Sequence, residues 1–255
     1  MTDDNRLVDS AGQPWAGRHF EKTSFADDDG SAPAGLRDAL IRFRAGESSV
    51  VDVVTALRGT RLLVPMLAVL GEAAEGPHGR LVEKSADLAI VTVAARDGRR
   101  VLPAFTSVSA MSAWNPKARP VPVEAERVAL AAASEDTDLV ILDPTSETEH
   151  GLRRSSLRAL ATGTSFLPCW GDPAVIDAVT AATADEEAVR AVRLSPADPR
   201  AALDGPELVV ALELVPGMDA KRLREVIARI GERWSASEII ADRVDGLTVK
   251  LVSAS

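Results

Sequence analysis

Two Asp-Gly pairs, Asp97-Gly98 and Asp245-Gly246, constrain this chain more than any other feature. A glycine after an aspartate supplies the positive φ that a tight hairpin turn requires. Apolar runs flank both pairs, residues 88–94 and 100–105 around the first, 238–244 and 247–252 around the second. Each run reads as a strand and each pair as a hairpin. Helical segments fall between them without a regular strand–helix–strand alternation. That pattern predicts an antiparallel or mixed sheet with helices packed on it, not a doubly wound parallel sheet.

Leu36, Ala39, Leu40 and Phe43 follow the i, i+3, i+4, i+7 spacing of a helix, and Gly46 stops it. A second short helix carries Val50, Val51, Val53, Val54 and Leu57. Residues 61–69 read as a buried strand. Residues 119–123 read as a brief edge strand, because Pro120 and Pro122 cannot donate to a ladder. Helices are expected at 110–114, 124–134 and 152–161, and a short apolar strand at 139–142. Asp172-Pro173 opens a further helix: the carboxylate caps free N–H groups, and proline at the first position loses no needed donor. Strands near 192–194 and 208–215 precede the clearest helix, 219–234, with Leu223, Val226, Ile227, Ile230 and Trp234 on one face.

The expected fold is α+β in three parts. Residues 1–33 form an N-terminal arm, 34–170 a sheet with packed helices, and 171–255 a smaller α+β domain ending in a hairpin. The arm is polar yet carries aromatics, so it is expected to be anchored on the body through Trp15, Arg18 and Phe20. Its acidic stretch, Asp27-Asp28-Asp29-Gly30, reads as a solvated linker. The alternatives are a disordered tail or a linear motif for a separate partner.

Net charge narrows the partners. At −9 the chain repels a phosphate backbone, and no run of Lys or Arg offsets this, so nucleic acid is not expected as a partner. The longest apolar stretch, 62–70, is too short to span a bilayer and contains Pro65. The first residues lack the features of a signal peptide, and the cytoplasm is the expected location. One cysteine excludes an internal disulfide and a thiolate cluster. His19, His78 and His150 are isolated in turn-like contexts, so neither a metal nor a cofactor is expected. No phosphate-binding glycine motif and no G-x-S-x-G elbow occurs.

Several segments carry a family resemblance: Leu62-Leu63-Val64-Pro65, Leu102-Pro103-Ala104-Phe105-Thr106-Ser107, the following Trp114, and Asp138-Leu139-Val140-Ile141-Leu142-Asp143-Pro144. From about residue 36 to 163 the chain resembles the N-terminal domain of the SseB (enhanced serine sensitivity) family. Trp15-Ala16-Gly17-Arg18-x-Phe20 resembles the stretch seen in actinobacterial members. Through Gly205-Pro206-Glu207-Leu208-Val209-Val210-Ala211-Leu212, residues 205–255 resemble the family's C-terminal domain. The resemblance implies a cytoplasmic α+β protein with no established reaction or cofactor. Actinobacterial members tend to be encoded near translation-factor genes, which implies a protein partner linked to translation.

The candidate binding residues are Phe105, Thr106, Ser107 and Trp114. Hydroxyls at a strand end beside helix-start N–H groups can hold an anion or a carboxylate. They can equally cap the helix that carries Trp114, with Phe105 in the core. Trp114 reads as a ligand shelf or partner anchor, or as a core plug. Arg153-Arg154-Ser155-Ser156 reads as a phosphate contact or as an exposed polar first turn. Cys169, without a base or an electropositive setting, reads as a small buried hydrophobe. No residue receives a catalytic role. The expected function is a non-catalytic interaction or regulatory protein, with an amino-acid or anion sensor second and an enzyme third.

Overall fold

In the computed structural model, which describes residues 25, 27–69, 74–75, 81–82, 87–134, 137 and 139–253, the spacing at Leu36 and Leu40 becomes helix α1, Ala34–Arg44. Both leucines are buried. Helix α2, Val50–Leu57, begins at a capping box: the Ser49 N–H donates to Asp52 and the Asp52 N–H returns to the Ser49 hydroxyl. The strands of the first half are β1 (Arg61–Val69), β2 (Ala74–Glu75), β3 (Leu81–Val82), β4 (Asp87–Ile90), β5 (Val93–Ala94) and β6 (Arg100–Ala104). Then follow α3 (Val108–Trp114), β7 (Arg119–Glu124), α4 (Ala125–Ser134), β8 (Val140–Leu142), β9 (His150–Leu152) and α5 (Arg154–Thr162).

β1 lies between β4 and β7 and runs antiparallel to both. The proline-bearing β7 is an edge strand of this sheet, as its sequence requires. β5, β6, β8 and β9 form a second, mixed sheet in which β6 and β8 are parallel. The expected strand at 88–94 divides into β4 and β5, which join different sheets. Its hairpin does form: Gly98 has φ 85°, and β5 pairs antiparallel with β6. The expected helix at 152–161 begins two residues later, because Leu152 pairs with Val140 in the second sheet.

The second half holds a 3-10 turn (Cys169–Gly171), α6 (Pro173–Ala181), β10 (Val189–Pro196), β11 (Leu208–Leu214), α7 (Ala220–Ser235), α8 (Glu238–Arg243) and β12 (Leu247–Ser253). Here the expected C-terminal hairpin is overturned. Residues 238–243 are helical, capped by the Ser237 hydroxyl, and β12 pairs parallel with β11. A parallel return needs a long crossover, which α7 and α8 supply. Helices and mixed sheets together make the fold α+β.

Two main hydrophobic clusters hold it. The first gathers Leu36, Leu57, Leu62, Leu102, Leu142 and Leu160. In the second, α6, α7 and α8 cover one face of the β10–β11–β12 sheet through Val175, Val179, Val226, Ile230, Trp234 and Ile240. The Trp234 indole N–H finds an acceptor in the Val179 carbonyl at 3.2 Å. Among the described residues no helix is long and apolar enough to cross a membrane.

The chain divides into two units, Met1–Gly30 and Ser31–Ser255. In the first, the Asp28 N–H donates to the Phe25 carbonyl at 3.2 Å and the Gly30 N–H to Asp28 Oδ1 at 2.9 Å. The expected anchors Trp15, Arg18 and Phe20 lie outside the described residues.

One close approach fixes the loop after β10. A Cβ on Gly151 would stand 2.3 Å from Leu203 Cγ. The Gly151 N–H donates to Ala201, and both Ala201 and Leu203 hold positive φ, 49° and 52°. Leu203 is fully buried. Gly151→Ala is therefore expected to cost about 1–3 kcal/mol, the usual penalty of overpacking. Urea unfolding of the variant checks this, and an unchanged midpoint would contradict it.

Candidate functional site

The segment singled out in the sequence folds inward. Phe105 is fully buried and exchanges backbone hydrogen bonds with Leu63, both at 2.8 Å. Its ring lies 5.2 Å from that of the half-buried Trp114. The Ser107 hydroxyl caps α3 by accepting from the Ala110 N–H at 3.1 Å. Thr106 does meet a carboxylate, but one of the chain's own: its N–H and its hydroxyl both donate to Asp143 at 2.7 Å. The Thr148 hydroxyl gives Asp143 a third donor at 2.9 Å. Burial pushes the Asp143 carboxyl up, and these three bonds act against that shift. The structure thus places Phe105, Thr106, Ser107 and Trp114 close together, with the Thr106 and Ser107 hydroxyls bonded internally.

A second cluster gathers where β9 meets α5. Arg153, the residue before α5, is not on an exposed turn. Its side chain is 8% exposed and ion-paired to Asp198 and Asp245, both at 2.7 Å. It also donates to the Gly205 carbonyl at 3.0 Å. Asp198 accepts two backbone N–H groups besides, from Ala202 and Leu203, each at 2.9 Å. Asp245 takes a second guanidinium, from Arg99, at 2.9 Å. The Asp-Gly pair read as a turn therefore serves as an arginine acceptor.

Glu207 completes the cluster. Its carboxyl accepts from the Ser155 hydroxyl at 3.2 Å and from the Asp245 N–H at 2.9 Å. Burial pushes it above the usual carboxylate range. Cys169 is buried beside it, and burial together with the neighbouring Glu207 holds the thiol well above its ordinary pKa. A nucleophilic or metal-binding cysteine needs the opposite shift. Among the described residues, no three His, Cys, Asp or Glu side chains converge as ligands of a metal ion.

This cluster forms one wall of a cavity of about 340 Å³. Arg153, Ser155, Asp198 and Glu207 supply its polar lining, and Phe43, Val50, Val51, Phe166, Pro168 and Trp170 its apolar walls. Phe43 and Phe166 pack on the first hydrophobic cluster, Trp170 on the second. The volume is at the low end of the roughly 300–1,000 Å³ typical of ligand pockets, and an apolar wall with a few convergent polar groups is their usual character. Asp198, Glu207 and Asp245 escape a sequence reading because their partners lie far along the chain. Arg153 stands out in the run 153–156, but nothing local places it beside these carboxylates.

Fold and cavity define an α+β protein with a ligand-sized cavity between its two main hydrophobic clusters. Residues 36–159 match the family model described as the SseB protein N-terminal domain, so this part of the chain is an SseB N-terminal domain. No curated protein and no solved structure matched in the corresponding comparisons.

Proposed function

We propose that this chain is a non-catalytic regulatory protein of the SseB family that holds a small molecule in the cavity beside Arg153 and answers to a protein partner. The carrying observation is the cavity itself, walled by residues from both hydrophobic clusters. A ligand there touches both, so its binding changes how residues 34–170 and 171–255, read as two domains, are held together. This replaces Thr106 and Trp114 as the binding place, because the Thr106 donors are taken by Asp143. The absence of catalysis rests on the groups around the cavity: Arg153 is committed to two carboxylates, and the Cys169 thiol is held protonated. A partner linked to translation, as the family resemblance implies, fits the same reading.

The test is a ligand-observed NMR screen of small fragments against the wild type and Val51→Phe, which places a bulkier ring at the cavity wall. Hits are expected with the wild type and not with the variant. Identical hit lists for the two proteins would refute the reading.

A further inference from the structure

We propose that β12 is a dimerisation strand, along whose free edge a second copy of this chain pairs antiparallel, joining two three-stranded sheets into one of six. β11 pairs with one side of β12, and among the described strands none pairs with the other. The Gly246 carbonyl turns toward β11, where it accepts from the Leu208 N–H at 3.1 Å. The N–H across the same planar peptide, that of Leu247, therefore points away. Strand alternation then turns the backbone groups of Leu247, Val249 and Leu251 outward, a row of donors and acceptors that templates another strand. Their side chains are in register with Leu208, Val210 and Leu212, on the face that the helices cover. The cover stops short of the edge. Leu251 is 45% exposed, and two hollows of about 310 and 350 Å³ lie between α7 and β12. None of their residues lines the cavity beside Arg153.

The sequence of β12 selects the register. A two-fold axis through Val249 sets Val249 against its own counterpart and Leu247 against the partner's Leu251. All three outward residues then exchange ladder bonds, and apolar side chains meet across the junction. Lys250 stands opposite the partner's Thr248. An axis through Lys250 would bring its two charges face to face, which is destabilising, and one through Thr248 would set Leu251 against the partner's Asp245. The same axis acts on α7. Ile227 and Gly231 share a hollow with Leu247 and Val249, so the axis passes near the middle of that helix and lays the two copies of it antiparallel. Arg224 and Glu232 stand four residues to either side of Ala228, and all three are exposed. Antiparallel helices therefore set each Arg224 beside the partner's Glu232. Within the chain, among the described residues, neither has an ion-pair partner; Arg229 and Arg233 turn to Glu186 instead. Strand register and helix charge agree on one arrangement, and a two-fold interface has to be self-complementary in this way.

Sedimentation velocity on the full chain, from low to high micromolar concentration, provides the test. The wild type is expected to dimerise. Val249→Pro removes an N–H that β11 does not use, a change an edge strand tolerates, and should leave a folded monomer. Should that variant fail to fold, the exposed charges decide. Arg224→Glu or Glu232→Arg alone should weaken the dimer about tenfold, because each sets like charges together at both symmetric contacts. Combining Arg224→Glu with Glu232→Arg should restore the wild-type affinity. A wild type that stays monomeric throughout overturns the proposal and leaves the edge to a strand from another protein. A dimer that survives Val249→Pro is held elsewhere and overturns it as well. So does a dimer that both single reversals leave unchanged, or one that the double variant fails to restore.

Discussion

Arg153→Ala is expected to destabilise the protein by about 3–5 kcal/mol, the range for breaking a buried ion pair by removing one partner. The side chain is buried between Asp198 and Asp245, with N–O distances of 2.7 Å to each. Truncation leaves Asp198 with two backbone N–H donors and no counter-charge, and leaves Asp245 to Arg99 alone. The cost is the desolvation of the stranded carboxylates, not the worth of the bridges. Adding Asp198→Ala to Arg153→Ala should therefore recover part of the loss. Arg158 provides the contrast. It pairs with Asp242 at 2.6 Å, but the two side chains are 60% and 52% exposed. Water screens that pair, and Arg158→Ala should cost no more than about 1 kcal/mol. Guanidinium unfolding of the wild type and the three variants measures all of this. Equal losses for Arg153→Ala and Arg158→Ala would mean that burial does not set the scale.

How far these features were legible depends on the range of the interaction behind them. α7 was readable because its pattern is local: Val226, Ile230 and Trp234 repeat at helical spacing and are the residues buried on the sheet. The cap of α6 was readable for the same reason, since the Asp172 carboxylate accepts from Ala174, two residues on. In sequence β12 reads as half of a hairpin, which the structure does not form. Its run of apolar residues fits any strand, and only the crossover through α7 and α8 makes it pair parallel with β11. The apolar pair Ile239-Ile240 fits a strand or a helix turn equally, and the Ser237 cap decides it. The Arg153 cluster was least legible. Its partners lie 45 and 92 residues away, and the sequence offers no periodicity that links them. Thr106 stands between these cases: its polar role was visible, but its partner Asp143 sits on another strand end 37 residues on.

Acid should destabilise the native state through His150 in a way that His150→Leu removes. His150 belongs to β9 and is fully buried, not set in a turn as its sequence context had indicated. Its ring meets that of Phe43 edge-on at 4.6 Å, and neither ring nitrogen has a hydrogen-bond partner among the described residues. Burial is the main cause that lowers its pKa from 6.5 to about 4; the Arg44 charge adds to it and Asp198 opposes it. Below pH 6.5 the unfolded chain takes up a proton that the native chain refuses until about pH 4. Protons therefore favour unfolding across that window, and stability is lost as pH falls through it. At 1.36 kcal/mol per pKa unit the full loss is about 3 kcal/mol. His150→Leu keeps an apolar side chain against Phe43 and strands no polar atom, so at pH 7.5 it should be at least as stable as the wild type. At pH 4.5 it should be more stable by a further ~2–3 kcal/mol. Other acid-sensitive groups act in both proteins and cancel in the comparison. Urea midpoints at several pH values between 4.5 and 7.5 provide the measurement, and parallel curves for the two proteins would mean that His150 titrates as freely in the fold as in the unfolded chain.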